Sequence, residues 1–299
     1  VENSRFQGTV VVTGASSGIG LSIARELASR ASTLILVARR RGRLDALATE
    51  LSEKYTHCEI VVMPCDLGDR AATQALGVTL AARPAGVDVL VNNAGLGDMG
   101  LYERASEEKT LGMLEVNVTA VLLLTRALLP GMVARGHGGV LFVSSGFGLS
   151  YLPSFSAYVG TKHFITGLAN ALRAELSGTG VTVTQVCPGP VATEFEENAG
   201  NFTGRKVPAF IEISAEQCAR AAVAGFESNR AVVVPGLVMK LVMLLNAWTP
   251  GFLYRPIAAW LGRVARKAQL GPKPAPQAAP APPPSSNSAA KAGKSKESE

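Results

Sequence analysis

From residue 9 onward, short runs of Val, Leu and Ile alternate with longer stretches in which apolar positions recur every three or four residues. The first kind of run suits a strand buried on both faces and the second gives a helix one apolar stripe, so the alternation predicts repeated βα units and a parallel sheet. The runs place strands near 9–13, 33–38, 59–64, 87–91, 139–144, 181–186 and 231–234, and helices near 18–30, 42–54, 70–82, 106–134, 156–177 and 214–227. Several of these helices open on a Ser or Asp able to cap their first amides. The expected fold is therefore α/β, a doubly wound parallel seven-stranded sheet. Right-handed crossovers bring the carboxyl ends of such strands to one edge, where these sheets bind ligands, so motifs that close a strand matter most.

Three segments break the pattern. Residues 194–213 follow a strand end without clear periodicity, and are expected to form either a mobile flap over a substrate or an ordinary surface connection. The run VVVPGLVMKLVMLLNA, followed by WTPGFLYRPIAAWLGRVARKA, is too apolar for a simple surface. Its first part is shorter than the roughly 20 residues of a bilayer-crossing helix, and Pro250 and Pro256 interrupt the rest. Trp248, Tyr254 and Trp260, with Arg255, Arg263, Arg266 and Lys267, are residue types that anchor at a membrane surface. Membrane-surface contact, packing over a substrate mouth and an oligomer contact all stay open. Beyond residue 271 almost no large apolar side chain remains to offset the entropy of ordering, so disorder is expected. The expected organisation is a catalytic domain over 1–235, an apolar helical extension over 236–270 and a disordered Pro/Ala/Ser/Lys tail over 271–299.

Composition agrees with one large core: of 299 residues, 47% are hydrophobic and only 6% aromatic, leaving Val, Leu, Ile and Ala to build the interior. The net charge of +6 has local causes, because Arg39, Arg40, Arg41 and Arg43 sit together and Lys291, Lys294 and Lys296 lie in the tail. A nucleic-acid partner would need a basic face interleaved with stacking aromatics, so none is expected. Cys58, Cys65, Cys187 and Cys218 have no C-x-x-C spacing and read as packed free thiols in a reducing compartment. With the first strand starting within ten residues, no secretory leader is expected either, and the location implied is cytoplasmic, with the inner face of a membrane as the alternative. His57, His137 and His163 are scattered, so a metal is not expected.

The first strand runs straight into Gly14-Ala15-Ser16-Ser17-Gly18-Ile19-Gly20 and then into an amphipathic helix. In the Rossmann arrangement such glycines let main chain approach a pyrophosphate, whose charge meets the amides of the helix N-terminus. The spacing is G-x-x-x-G-x-G, not the G-x-G-x-x-G that many dinucleotide domains carry. An acid at the end of the second strand would favour an unphosphorylated ribose, but that place holds Arg39, followed by Arg40. Guanidinium groups bind a 2′-phosphate by charge-assisted hydrogen bonds, so the cofactor expected is NADP(H). Arg41 and Arg43 read as a solvated basic helix start.

Tyr158 and Lys162 stand four residues apart, on one face of the helix over 156–177. A free phenol titrates near about 10, and a neighbouring ammonium is expected to lower that value toward a working acid/base. Ser145 closes an apolar run and is placed to hydrogen-bond a substrate oxygen.

In this order, Thr13-Gly14-Ala15-Ser16-Ser17-Gly18-Ile19-Gly20, Cys65-Asp66-Leu67, Asn92-Asn93-Ala94-Gly95, Asn117, Ser144-Ser145, Tyr158 with Lys162, and Pro188-Gly189-Pro190-Val191-Ala192-Thr193 resemble the short-chain dehydrogenase/reductase family over about residues 6–235. The resemblance implies that Ser145, Tyr158, Lys162 and Asn117 are catalytic, with hydride exchanged between the nicotinamide and a carbonyl or alcohol carbon while Tyr158 gives or takes the proton. It also implies that Gly14, Ser16, Ser17, Gly18, Ile19 and Gly20 cradle the dinucleotide, Asp66 and Leu67 contact the adenine and Asn93 the adenosine ribose. Val191 and Thr193 would hold the carboxamide, Lys162 the nicotinamide ribose, and Asn117 a water that links Lys162 to solvent. Thr161 and Ala120 depart mildly from the family pattern and supply no catalytic atoms.

The extension resembles that of bacterial short-subunit dehydrogenases related to ketosphinganine and steroid reductases, which implies a lipophilic small-molecule substrate: a keto-lipid, steroid or long-chain acyl compound. A homo-oligomer is a further expectation. A non-catalytic dinucleotide-binding regulator and an epimerase are the competing readings.

Overall fold

A computed structural model describes residues 4–195, 199–200, 208 and 210–270. Strands β1 (Thr9–Thr13), β2 (Thr33–Ala38), β3 (Glu59–Pro64), β4 (Val89–Asn92), β5 (Gly138–Val143), β6 (Val181–Val186) and, later in the chain, a short strand Val232–Val233 form one parallel sheet. Their spatial order is β3-β2-β1-β4-β5-β6 followed by Val232–Val233, so the order reverses between β1 and β4. That reversal opens the crevice in which doubly wound sheets hold ligands.

Period-two alternation explains why both faces are dry. Val10 and Val12 of β1, with Leu34 and Leu36 of β2, enter one buried cluster; Val11, Ile35 and Val37 enter the other. The first cluster is closed by α1 (Gly18–Leu27), α2 (Arg41–Lys54) and a helix Ala215–Glu227, through Ile23, Leu44, Leu47, Val223 and Phe226. The second is closed by α3 (Arg70–Ala81), by α5 (Ala120–Arg135), which a break separates from the preceding α4 (Glu107–Leu114), and by α6 (Ser156–Glu175). Its side chains include Leu80, Leu124, Leu128, Met132 and Ile165. Each such side chain contributes about 1.5–3 kcal/mol when fully buried.

The chain departs from the sequence-based expectation in three places. The helix expected over 106–134 is interrupted at Glu115–Thr119 by a π-turn that contains Asn117. Two-residue strands β7 (Val191–Ala192) and β8 (Ile213–Ser214) pair across the base of the expected flap, most of which lies outside the described residues. After α7 (Ala215–Glu227), the last sheet strand β9 covers only Val232–Val233, pairing with Gln185 and Val186. The apolar extension is helical as expected and forms two helices, α8 (Leu237–Trp248) and α9 (Gly251–Leu270), whose axes differ by 117°. The expected disordered tail over 271–299 lies outside the described residues.

Candidate active site

The carboxyl edge of the sheet opens into one cleft of about 1440 Å³. At its centre β1 turns back through Gly14, whose φ of +68° and whose closeness to Asn93 and Ala94 leave no room for a side chain: a Cβ would stand 2.7 Å from Asn93 Nδ2. Asn93 fastens this turn. Its Nδ2 donates to Thr13 O at 2.8 Å and its backbone amide to Thr13 Oγ1 at 2.9 Å. A Cβ on Gly20 would strike the same amide.

At the start of α1, Ser17 occupies the cap position without bonding its side chain to the helix, and the first turn carries no acid. Uncapped first-turn amides with the positive end of the helix dipole suit an anion. The Ser16 and Ser17 hydroxyls instead accept from Arg40, at 3.1 and 2.7 Å from Nη2. Arg40 Nη1 reaches Glu194 at 3.0 Å, and Arg43 Nη1 reaches the other oxygen of that carboxylate at 2.7 Å. Arg41 pairs loosely with Asp45 at 3.6 Å. Arg43 is therefore no bystander of the helix start, contrary to the reading of the sequence: it shares an anion with Arg40. Arg39, Asp66 and Leu67 line the same end of the cleft.

The other end holds the acid/base candidates. β5 delivers Ser144 and Ser145, and one helical turn of α6 puts Tyr158 and Lys162 on its buried face, at 7% and 5% exposure. Lys162 Nζ lies 5.6 Å from the centre of the Tyr158 ring and donates to Val143 O at 3.1 Å. Phe147, Phe155 and Phe195 surround the phenol, with ring centres 6.2, 6.4 and 5.4 Å away.

This enclosure reverses the expected direction of the tyrosine shift. Burial pushes the Tyr158 phenol up to about 12, opposed only by hydrogen bonding to Ser145. Burial likewise pulls the Lys162 ammonium down to about 8, opposed by nearby Cys187. Desolvation disfavours the charged form of each group, and here it outweighs the Ser145 hydrogen bond at one and the Cys187 interaction at the other. The phenol is thus held protonated at neutral pH.

Asn117 is buried in the π-turn. Its Oδ1 accepts from Leu96 N at 2.8 Å, while Nδ2 donates to Leu96 O at 2.9 Å and to Thr161 Oγ1 at 3.1 Å. Thr161 in turn donates to Tyr158 O at 2.8 Å. A Cβ on Gly95 would sit 3.4 Å from Asn117 Oδ1 and 3.5 Å from Lys162 Nζ, so all three line one corner. Thr161 is the link missed from the sequence, where it looked like a neutral departure.

The extension closes the far side. Met239 and Met243, one turn apart on α8, and Leu261, Val264, Ala265 and Ala268 of α9 line the cleft beyond Ser145, together with Leu152. Gly189 meets Met239 so closely that a Cβ there would press on its thioether chain. Polar ties hold the two helices: Asn246 Nδ2 donates to Leu149 O at 3.3 Å, the Tyr254 hydroxyl donates to Tyr151 O, and Gln269 Oε1 accepts from Leu101 N at 2.9 Å. Arg266 pairs with Glu103 at 2.6 Å. The opposite faces stay exposed, with Leu237 and Trp248 of α8 and Phe252 and Trp260 of α9 the main apolar residues there. The sequence left three roles open for this segment, and packing over the mouth is the one built into the fold.

Val191, buried, and Thr193 line the wall between these two ends. Cys187 lies beneath, its thiol pushed up to about 12 by burial. Among the described residues, no group of three or more His, Cys, Asp or Glu is placed to hold a metal ion.

Residues 8–203 match the short chain dehydrogenase family. Nodulation protein G of Rhizobium sp. (strain N33) is 34% identical over 229 residues, covering 76% of this chain and 91% of that protein. The NADP-dependent 3-hydroxy acid dehydrogenase YdfG of Salmonella typhi is 38% identical over 189 residues, 62% of this chain and 74% of that protein. Among solved structures, a short-chain dehydrogenase from Sphingobium yanoikuyae in complex with NADPH superposes with a TM-score of 0.72 at 31% identity, covering 80% of this chain and 93% of that one.

Proposed function

The chain belongs to the short chain dehydrogenase family, and from that premise we propose that it is an NADP(H)-dependent oxidoreductase that reduces the carbonyl of a lipophilic substrate, with Tyr158 as proton donor. The observation that carries the reading is the buried Tyr158, held in its acid form beside Ser145 and Lys162 at the end of a cleft whose other end offers an uncapped helix N-terminus and two arginines already gripping a carboxylate.

That carboxylate stands where a phosphate charge would be welcome, and it is the local sign that the residues fit a phosphorylated dinucleotide. The Gly14–Gly20 turn would hold the pyrophosphate, Arg39 and Arg40, with Arg43 beside Arg40, the 2′-phosphate, Asp66 and Leu67 the adenine, Asn93 the adenosine ribose side, and Val191 and Thr193 the carboxamide. When bound, NADP(H) supplies or accepts the hydride.

The chain's own residues do the rest. Tyr158 Oη gives its proton to the substrate oxygen, and Ser145 Oγ donates a hydrogen bond to the same oxygen, so little charge accumulates there. Lys162 places its ammonium behind the phenol and stabilises the phenolate left after transfer. Asn117, through Leu96 and Thr161, fixes the corner through which that phenolate regains a proton. In the alcohol-oxidising direction the same phenol must first give up its proton, a step that its burial in the nucleotide-free cleft opposes.

Met239, Met243, Leu261 and Val264 offer the substrate a wall with no charged group, which suits a ketone on a long-chain or polycyclic skeleton. The exposed apolar faces of α8 and α9 carry Trp248 and Trp260 beside Lys240, Arg255, Arg263 and Lys267, and no Asp or Glu occurs from 228 to 296. That pattern suits peripheral contact with an anionic membrane surface, on the cytoplasmic side, close to a lipophilic substrate. The test is turnover of NADPH by purified protein with ketones of graded chain length. Efficiency rising with chain length supports the reading; good turnover of small polar ketones with neglect of long ones overturns the lipophilic assignment.

A further inference from the structure

Glu194 follows β7 on the wall of the cleft opposite the α1–α2 corner, yet its carboxylate reaches across to that corner. One oxygen takes Arg40 and the other takes Arg43, at 3.0 and 2.7 Å, and Arg40 simultaneously donates to Ser16 and Ser17 of the glycine turn. Thr193, just before it, packs on the same turn: a Cβ on Gly18 would stand 3.0 Å from its Cγ2. The chain thus carries its own anion at the end of the cleft where the cofactor's extra phosphate is to bind.

We infer that Glu194 is an internal competitor of the 2′-phosphate, occupying Arg40 and Arg43 until a phosphorylated nucleotide displaces it, and so sets how strongly the protein distinguishes 2′-phosphorylated from unphosphorylated nucleotides. The inference rests on the NADP(H) reading. A carboxylate brings one negative charge and two oxygens, whereas a phosphate monoester brings about 1.5–2 charges and three acceptor oxygens. Two guanidinium groups therefore prefer the phosphate, but it must first part them from Glu194. An unphosphorylated ribose has no anion with which to do so. Both guanidinium groups hold the Glu194 carboxyl below its ordinary range, Arg43 more than Arg40, which keeps the competitor ionised at neutral pH. Arg40, Arg43 and Glu194 keep 42%, 50% and 42% of their side-chain surface exposed, so the competition is worth a modest factor and is weakened by salt.

The experiment is calorimetric binding of 2′,5′-ADP and of 5′-AMP to the full chain and to its Glu194→Gln and Glu194→Ala variants, at low and at high salt. Removing the competitor should tighten 2′,5′-ADP by roughly 3- to 10-fold and leave 5′-AMP within about twofold, with the gain shrinking as salt rises. Unchanged or weaker 2′,5′-ADP binding in both variants, with unliganded melting temperatures like that of the parent, overturns the inference and makes Glu194 a scaffold for the arginines. Failure of the parent protein itself to prefer 2′,5′-ADP over 5′-AMP would instead overturn the NADP(H) reading.

Discussion

The side-chain amide of Asn117 donates to the hydroxyl of Thr161 at 3.1 Å, and this bond joins the π-turn to the helix that carries Tyr158 and Lys162. Thr161 passes the link on by donating to Tyr158 O, so the helix turn that carries the phenol is tied to a residue that does not line the cleft.

Replacing Thr161 with Val keeps the shape but leaves one amide proton of a buried Asn117 without its partner. The expected cost is about 1–3 kcal/mol of folding stability, readable as a lower urea midpoint at unchanged slope. A fall in kcat larger than the rise in KM should accompany it, because the lesion lies behind Tyr158, the proposed proton donor.

Tyr158→Phe removes a single oxygen from a packed aromatic cluster. Turnover should drop by about 10²-fold or more, the usual scale for a lost general acid, while calorimetric binding of NADPH stays near the parent value. Unimpaired turnover would remove Tyr158 from the chemistry.

The two buried titrating groups leave a signature in stability against pH. Lys162 titrates near about 8 when folded and at its ordinary 10.5 when unfolded. Between those values the unfolded chain binds more protons, so stability contributed through Lys162 rises with pH from about 8 to 10.5. Tyr158 acts oppositely, since its folded value of about 12 exceeds the ordinary 10.0 and its contribution falls as pH climbs from 10 to 12. Chemical denaturation of the nucleotide-free protein should show a gain from about pH 8 to 10 that a Lys162→Met variant lacks.

Trp248 and Phe252 are 81% and 73% exposed and take no part in lining the cleft. Changing both to Ser should reduce co-sedimentation with phosphatidylserine-containing vesicles several-fold, leaving turnover of a short soluble ketone untouched. Equal sedimentation of parent and variant would argue against the membrane contact.

The sheet was legible because its strands are largely buried on both faces and so are written as unbroken Val/Leu/Ile runs; all seven overlap those runs, the last only over Val232–Val233. The glycine turn and the Tyr158/Lys162 spacing were legible for a similar reason, each being local. What escaped notice depends on partners far along the chain. Arg43 looks like any helix-start cation until Glu194, 151 positions away, is brought against it. The π-turn around Asn117 inserts one residue into a helix whose apolar stripe continues on both sides, so periodicity gave no warning. The direction of the Tyr158 shift turned on burial among three phenylalanines, one of which, Phe195, arrives from beyond β6.

Helix α9 is a partition with different neighbours on its two sides: Leu261 and Ala265 look into the reaction chamber, while Ile257 and Trp260 look outward. Among the described residues, polar ties from Gln269 to Leu101, Arg266 to Glu103 and Tyr254 to Tyr151 help hold this partition against the rest of the fold. Loosening it would leave Tyr158 and the glycine turn in place, since both belong to the sheet and its own helices. On the proposed function, selectivity and catalytic competence belong to separable parts of the chain, so that drift in the sequence of α9 would retune which molecules are accepted without rebuilding the residues around Tyr158.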